Sequence, residues 1–492
     1  MRRIHMSQVI RHMHRHQECE YQDAPLYNET LNIGQVHMTQ KFVNPSRMTV
    51  VLAYVIGLAY WVTYFVKESP TFTGNDWLKE QVFSNLIRES IETLQVPWRM
   101  SLDFYHAGVH ELIANPEVSL APDMLLLGVL PNNIYFLVHW LLFFTLGFIG
   151  TVMLARKYQL SNVSFLFFVV LFNFNGFIGS HVSEGHIQWA GYFLFPFFFC
   201  WLPDLGDHER NQKRSALKIA LLFGFMFLNG SFHMAIWCLM MLALMLTYRQ
   251  DLWRPVGLVI LLAGLMGIAR LLPAAIYFPA KTDFVSGYPT ISTLLDAFTF
   301  VYHPESPARG GSFGNLAWHE YSFYVGYIGF VFLIAGAYAY ARQRLRFVPV
   351  WWFPAAIIMF MFSMGDVYQI IPNSGVPFSS IERVPSRFMV MPFCVLLLVA
   401  ALGFTHLEQR YLKYTRLILT VSLFPMLGEI FQNARKWRIQ SYESAIGVNQ
   451  IPLVSIVESH DQLLRVVVVA SWSVSLVAAV VSIFWLVRFH KD

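Results

Sequence analysis

Asp76 is the residue whose setting best suits chemistry. It follows Gly74 and Asn75 at the head of a segment, 74–122, that is too polar for hydrocarbon yet rich in Trp, Phe, Tyr, Leu and Ile. A carboxylate in partly desolvated surroundings can have its pKa raised into the range of a general base. The competing role is structural, because Asp is among the best helix N-caps and a helix starting at Trp77 would use one. His181, Glu184 and His186 fall close together at a hairpin, with Gly185 loosening the turn. They could gather round a cation or a phosphate, or simply solvate the ends of two helices. Arg383 and Arg387, in the run Glu382-Arg-Val-Pro-Ser-Arg-Phe388, suit a phosphate, since guanidinium groups grip phosphate oxygens in bidentate fashion. Their bland alternative is snorkelling anchorage at a membrane interface. Trp318-His319-Glu320-Tyr321 reads as an aromatic-belt anchor.

The elements that must hold these residues are membrane spans. The chain of 492 residues is 56% hydrophobic and 13% charged, with mean hydropathy +0.47, more apolar surface than a soluble core could absorb. Apolar runs of roughly 17 to 25 residues recur from Val50 onward, each about long enough to cross the bilayer as a helix. The reading is an all-α polytopic membrane protein with about twelve transmembrane helices. A membrane barrel would show alternating strands of about ten residues instead.

Basic clusters at Arg156-Lys157, Arg210 to Lys218, Arg249 to Arg254, Arg342 to Arg346, Arg410 to Arg416 and Arg488 to Lys491 follow every second run, which puts both termini in the cytoplasm by the positive-inside rule. Residues 1–48 form a cytoplasmic extension and 49–488 the membrane domain, with outer loops near 67–124, 273–321, 364–387 and 433–465. In the first of these, Val82, Phe83, Leu86, Ile87 and Ile91 recur at helical spacing and predict an amphipathic helix lying on the membrane surface.

The extension carries His5, His12, His14, His16 and Cys19, read as a solvated tail in preference to a metal site. Cys200, Cys238 and Cys394 lie in apolar runs and act as small hydrophobes. No removable signal peptide, P-loop, His-Glu-x-x-His or Gly-x-Ser-x-Gly motif is present. Basic residues are spread over many turns and form no stripe for nucleic acid.

Asn75-Asp76, Asn115-Pro-Glu117 through Pro122, Glu184-Gly-His186, Tyr324-Val-Gly326 and Arg383 to Phe388 together resemble the YfhO-like branch of the GT-C class of membrane glycosyltransferases. The likeness covers roughly residues 49 to 405. It implies a transferase of the bacterial inner (plasma) membrane that moves a sugar from a polyprenyl-phosphate-type donor to an acceptor on the outer side. It further implies that Asp76 is the base, Asp103 and Glu117 candidate second acids, and Arg383, Arg387, His186, Glu184 and His181 the binders of donor phosphate or substrate. A divalent metal such as Mg²⁺ or Mn²⁺ near the lipid phosphate is part of the same expectation. The partners it implies are membrane lipid and the lipid-linked sugar, with room for a protein at the outer loops. Two other readings stand beside it: a non-catalytic assembly subunit on the same scaffold, and a flippase or transporter of lipid-linked sugars.

Overall fold

The computed structural model describes residues 44–67, 71–101, 111–207, 209–277, 285–302, 318–374, 382–439 and 454–491. The histidines of the extension and Asp103 lie outside the described residues.

Helices dominate. In chain order they are α1 (Arg47–Val66), α2 (Trp77–Thr93), α3 (Asn132–Lys157), α4 (Asn162–Asn173), α5 (Gly176–Ser183), α6 (Phe195–Trp201), α7 (Glu209–Leu228) and α8 (Phe232–Leu246). After them come α9 (Trp253–Tyr277), α10 (Ile291–Thr299), α11 (Gly326–Arg342), α12 (Trp352–Phe362), α13 (Ile370–Asn373), α14 (Val390–Arg410), α15 (Leu412–Lys436) and α16 (Gln462–Lys491).

Seven helical stretches among the described residues are long and apolar enough to cross a membrane. They differ in what they touch. Asn162–Ser183 and Pro385–Arg410 are 94% and 89% buried and form the centre, whereas Tyr414–Lys436 is only 22% buried. Val466, Val477, Val480, Phe484 and other large apolar residues of α16 are turned outward. Such contiguous apolar surface is untenable in water and natural against lipid chains. The chain is a multi-pass membrane protein of nearly all-α class.

Of the other runs counted as spans in the sequence, several are shorter or broken, while Glu209–Leu228 is one continuous helix of 20 residues. Phe232–Leu246 and Trp352–Phe362 are apolar helices below spanning length. The stretch expected to cross at 188–203 is a 3-10 turn, Ile187–Leu194, followed by α6 and a second 3-10 turn, Leu202–Gly206. Pro196 and Pro203, which cannot donate to a preceding carbonyl, stand at the starts of the two latter pieces.

Several of the segments that connect the helices are joined to one another by backbone hydrogen bonds. The Asp76 amide donates to Glu184 O at 2.9 Å, and the Leu120 amide to Leu228 O at 2.8 Å. Gly287 and Tyr288 bond to Gly365 and Ser363, and the Val285 amide to Arg383 O at 2.9 Å. A two-residue antiparallel ladder pairs Arg99–Met100 (β1) with Ile456–Val457 (β2), tying the first of these loops to the last. The result is a cap of interlocked loops.

Within the cap, α2 forms where the apolar spacing predicts it. Val82, Phe83, Leu86 and Ile87 are buried and Ile91 half-buried. It does not lie on a surface, however. Lys79, Glu80, Gln81 and Ser84 on its polar side are also less than one-tenth exposed, because the hairpin after α5 and the 111–128 segment cover them.

Candidate functional site

Two hydrogen bonds dock the start of α2 on the end of α5. The Trp77 indole donates to Ser183 O at 3.2 Å and the Asp76 amide to Glu184 O. Asn75 reinforces the join by donating its side-chain amide to the Glu184 carboxylate. The approach is so close that Gly185, at φ +99°, has no room for a Cβ beside the Trp77 backbone.

Asp76 occupies the N-cap position of α2, yet its side chain accepts no capping hydrogen bond. It turns instead to an ammonium and an imidazole. Its Oδ2 is 3.0 Å from Lys79 Nζ and 3.3 Å from His186 Nε2. The capping role considered from the sequence is therefore not what orients this carboxylate.

Lys79 is the residue that sequence reasoning missed. Its side chain is 2% exposed, and the ammonium lies 2.8 Å from Glu117 Oε2 and 3.6 Å from Glu80 Oε1 in addition to Asp76. A lysine cannot be buried charged without such partners. Its spacing of three from Asp76 on a helix was the available signal. Burial pushes the Glu80 carboxyl up to about 8, with the Lys79 charge opposing and Glu117 and Asp76 adding to the rise. Glu117 reaches this point because Arg270 of α9 holds its segment, donating to Ile113 O at 3.2 Å, Asn115 O at 2.7 Å and Val118 O at 2.6 Å.

From Asp76 the network continues inward. His186 Nδ1 and His181 Nδ1 are 2.8 Å apart, so one of them carries the shared proton and the other accepts it. His181 stacks on Trp189 at 3.7 Å between ring centres, and its Nε2 is 3.8 Å from Glu320 Oε2. Arg387 grips Glu320 with both arms of its fork, Nε at 2.8 Å and Nη2 at 2.5 Å, and lies over the Trp189 ring at 5.0 Å. Its third nitrogen faces Glu382 Oε1 at 3.5 Å, and Glu382 also accepts from Trp237 and pairs with His233, each at 2.9 Å.

Burial alone would raise the Glu320 carboxyl, but Arg387, with His319 and His181, holds it well below the usual carboxylate range. Glu382 is likewise held low against its burial by His233 and Arg387. His319 is raised, the Glu320 carboxylate outweighing the cost of burying an imidazolium.

Several sequence readings find their place here. Asp76, Glu117, His181, His186 and Arg387 converge on one network, and Glu184 anchors Asn75 at its edge. Arg387 is buried with its fork engaged by carboxylates, not presented to an interface. Arg383 is half-buried and contributes its carbonyl to the loop junction. Trp318 and Tyr321 are buried at 2% and 0% exposure, so the run read as a belt anchor is instead the support of Glu320.

Among the described residues, no three His, Cys, Asp or Glu side chains converge as a metal would require. A divalent ion joining Asp76 to Glu117 would have to displace the Lys79 ammonium that already sits between them, so these residues do not fit the metal. What the arrangement can do is hold one carboxylate, Asp76, ionised and aimed between a fixed cation and an imidazole. A carboxylate so placed can accept a proton from a hydroxyl group brought beside it. No family model, curated protein or solved structure matches the chain.

Proposed function

We propose that this protein is a membrane transferase in which Asp76 takes the proton from an acceptor hydroxyl while a lipid-linked sugar phosphate is the donor. The single observation behind this reading is that the Asp76 side chain leaves its helix cap unmade and meets Lys79 and His186 instead. The sequence likeness to GT-C glycosyltransferases supplies the reaction class. In this reading the cap of loops faces the outer side of a bacterial inner membrane, the termini are cytoplasmic, and the shorter apolar helices complete a set of about twelve spans. Arg156 and Lys157, in the last turn of α3, and Arg249, in the turn between α8 and α9, agree with that orientation.

The acceptor oxygen attacks the anomeric carbon as Asp76 removes its proton, and the bond to the lipid phosphate breaks with inversion. Arg383 and the imidazoles of His186 and His319 are the groups assigned to the leaving phosphate. Arg387 holds Glu320, and through it the orientation of His181.

The test is transfer from a panel of polyprenyl-phosphate hexoses by the purified protein in lipid vesicles. Wild type releases lipid phosphate, and Asp76→Asn lowers the rate by about 10²–10⁴-fold, the usual worth of a positioned base. Equal rates for the two proteins would remove Asp76 from the role. One observation favours the second reading, a non-catalytic assembly subunit: the Arg387 fork is already filled by Glu320 and Glu382. That reading expects no transfer from wild type with any donor and a stable complex on purification from native membranes.

A further inference from the structure

Beside the Lys79 cluster, α2, α3 and the 118–127 segment line a partly open cavity of about 20 Å³. Its polar lining comes from Glu80, Ser84, Ser119, Tyr135 and His139. Two of these present buried atoms with no hydrogen-bond partner, Glu80 Oε1 and His139 Nε2. Both side chains are more than nine-tenths buried, so each leaves a polar atom without the partner that burial calls for. The opposite nitrogen of the imidazole, His139 Nδ1, is 2.5 Å from Asp123 Oδ2. Asp123 stands at the rim with its side chain 14% exposed. Burial would raise its carboxyl, yet His139 holds it below the ordinary value, as expected for a carboxylate accepting the Nδ1 hydrogen.

A space of this size accepts one water molecule, which needs two to four polar partners, and Glu80, His139 and the neighbouring hydroxyl groups provide them. We infer that the cavity is a water site, and that its water joins Glu80 to the His139–Asp123 pair as a path by which the proton taken up at Asp76 leaves. The path rests on Asp76 acting as the base.

The proton count closes. The Glu80 carboxyl passes its proton through the water to His139 Nε2, making an imidazolium opposite the Asp123 carboxylate. Lys79, 3.6 Å from Glu80, returns a proton to Glu80. Protonated Asp76, 3.0 Å from Lys79, restores the ammonium. Asp76, Lys79 and Glu80 finish as they began and one proton has moved to His139; the imidazolium passes its Nδ1 proton to Asp123, whose exposed edge hands it to solvent, and a half-turn of the ring restores the starting tautomer.

The test joins two readouts. High-resolution electron cryomicroscopy of the full chain in lipid is expected to show one density within hydrogen-bond reach of the Glu80 carboxyl and His139 Nε2. A dry cavity at a resolution that shows other buried waters would overturn the site. In the transfer assay, isosteric Glu80→Gln and the separate variant His139→Gln are expected to lower kcat about tenfold with KM unchanged. They should also lose the solvent deuterium isotope effect of wild type. If both keep the wild-type kcat while Asp76→Asn abolishes transfer, the relay is wrong and the base assignment survives. If wild type transfers nothing, the transferase reading falls, and the density alone decides the water site.

Discussion

The ammonium of Lys79 sits 2.8 Å from the carboxylate of Glu117, although 38 residues separate them in the chain. The same nitrogen holds Asp76, so one buried cation fixes two acids brought in by different parts of the cap. Removing the cation leaves Asp76, Glu80 and Glu117 facing one another. Lys79→Met is therefore expected to cost about 3–5 kcal/mol, the range for breaking a buried pair from one side. Adding Glu117→Gln to Lys79→Met should recover part of that loss. Thermal unfolding in detergent of the two single variants and the double variant measures the coupling. Additive effects would mean that the contact carries no energy.

Because Lys79 fills the space between these carboxylates, chelation should leave the function intact. Transfer by wild type after exhaustive EDTA treatment is expected at the untreated rate. Loss of activity that Mn²⁺ or Mg²⁺ restores would show that a metal is needed and that Lys79 does not replace it.

Much of this site could be seen residue by residue in the chain, but not its connections. Asp76, His181, His186 and Arg387 declared themselves as polar groups next to apolar runs, and α2 followed from the spacing of Val82, Phe83, Leu86 and Ile87. Lys79 stayed hidden because a lysine on the polar side of an amphipathic helix is ordinarily solvated. Only the docking of the Glu184 and Glu117 segments over that side buries it. Glu320 was hidden by its neighbours Trp318 and Tyr321, which look like interface anchors in sequence and are buried in the fold. The break in the apolar stretch 187–206 was hidden for a related reason. Hydropathy sums apolar residues and does not register that Pro196 and Pro203 stand where the stretch 187–206 breaks into short helical pieces.

Glu80 predicts a pH dependence of stability. Its carboxyl is raised from 4.5 to about 8 in the folded protein, so between these values the folded state keeps a proton that the unfolded chain releases. The stability tied to that proton is fully present below pH 4.5, declines as pH rises, and is lost above about 8, at ~1.4 kcal/mol per pH unit where steepest. Glu80→Gln cannot ionise. Relative to wild type it should gain stability steadily across this window and hold the advantage above it, measured by chemical unfolding at stepped pH. A constant difference between the two proteins across the window would show that Glu80 ionises in the folded state as it does in water.

Arg270 is the remote support of Glu117. Arg270→Met would leave the carbonyls of Ile113, Asn115 and Val118 without the donor they share, at about 1–3 kcal/mol for each that stays buried. The expected result is a lower unfolding temperature together with faster hydrogen exchange confined to residues 111–120. Arg270→Lys should fall between, since one ammonium lacks the planar fork that reaches several carbonyls at once. Exchange unchanged at 111–120 would mean that the segment is held by other contacts.

Gly185 tests whether the site depends on the join between the α5 hairpin and α2. Its φ of +99° disfavours any side chain, and a Cβ there would run into the Trp77 backbone beside Asp76. Gly185→Ala must push the hairpin away from the first turn of α2, lengthening the bond from the Asp76 amide to Glu184 O and the 3.3 Å approach of His186 to Asp76. Nothing in the hydrophobic centre changes, so the loss of stability should be modest, about 1–3 kcal/mol for a strained backbone position. The loss of transfer should be large, because a shift of an ångström at a base is enough to cost two orders of magnitude. A variant that loses stability but keeps its transfer rate would show that the Asp76–His186 contact is dispensable. One that loses transfer while remaining folded would make that contact part of how Asp76 works.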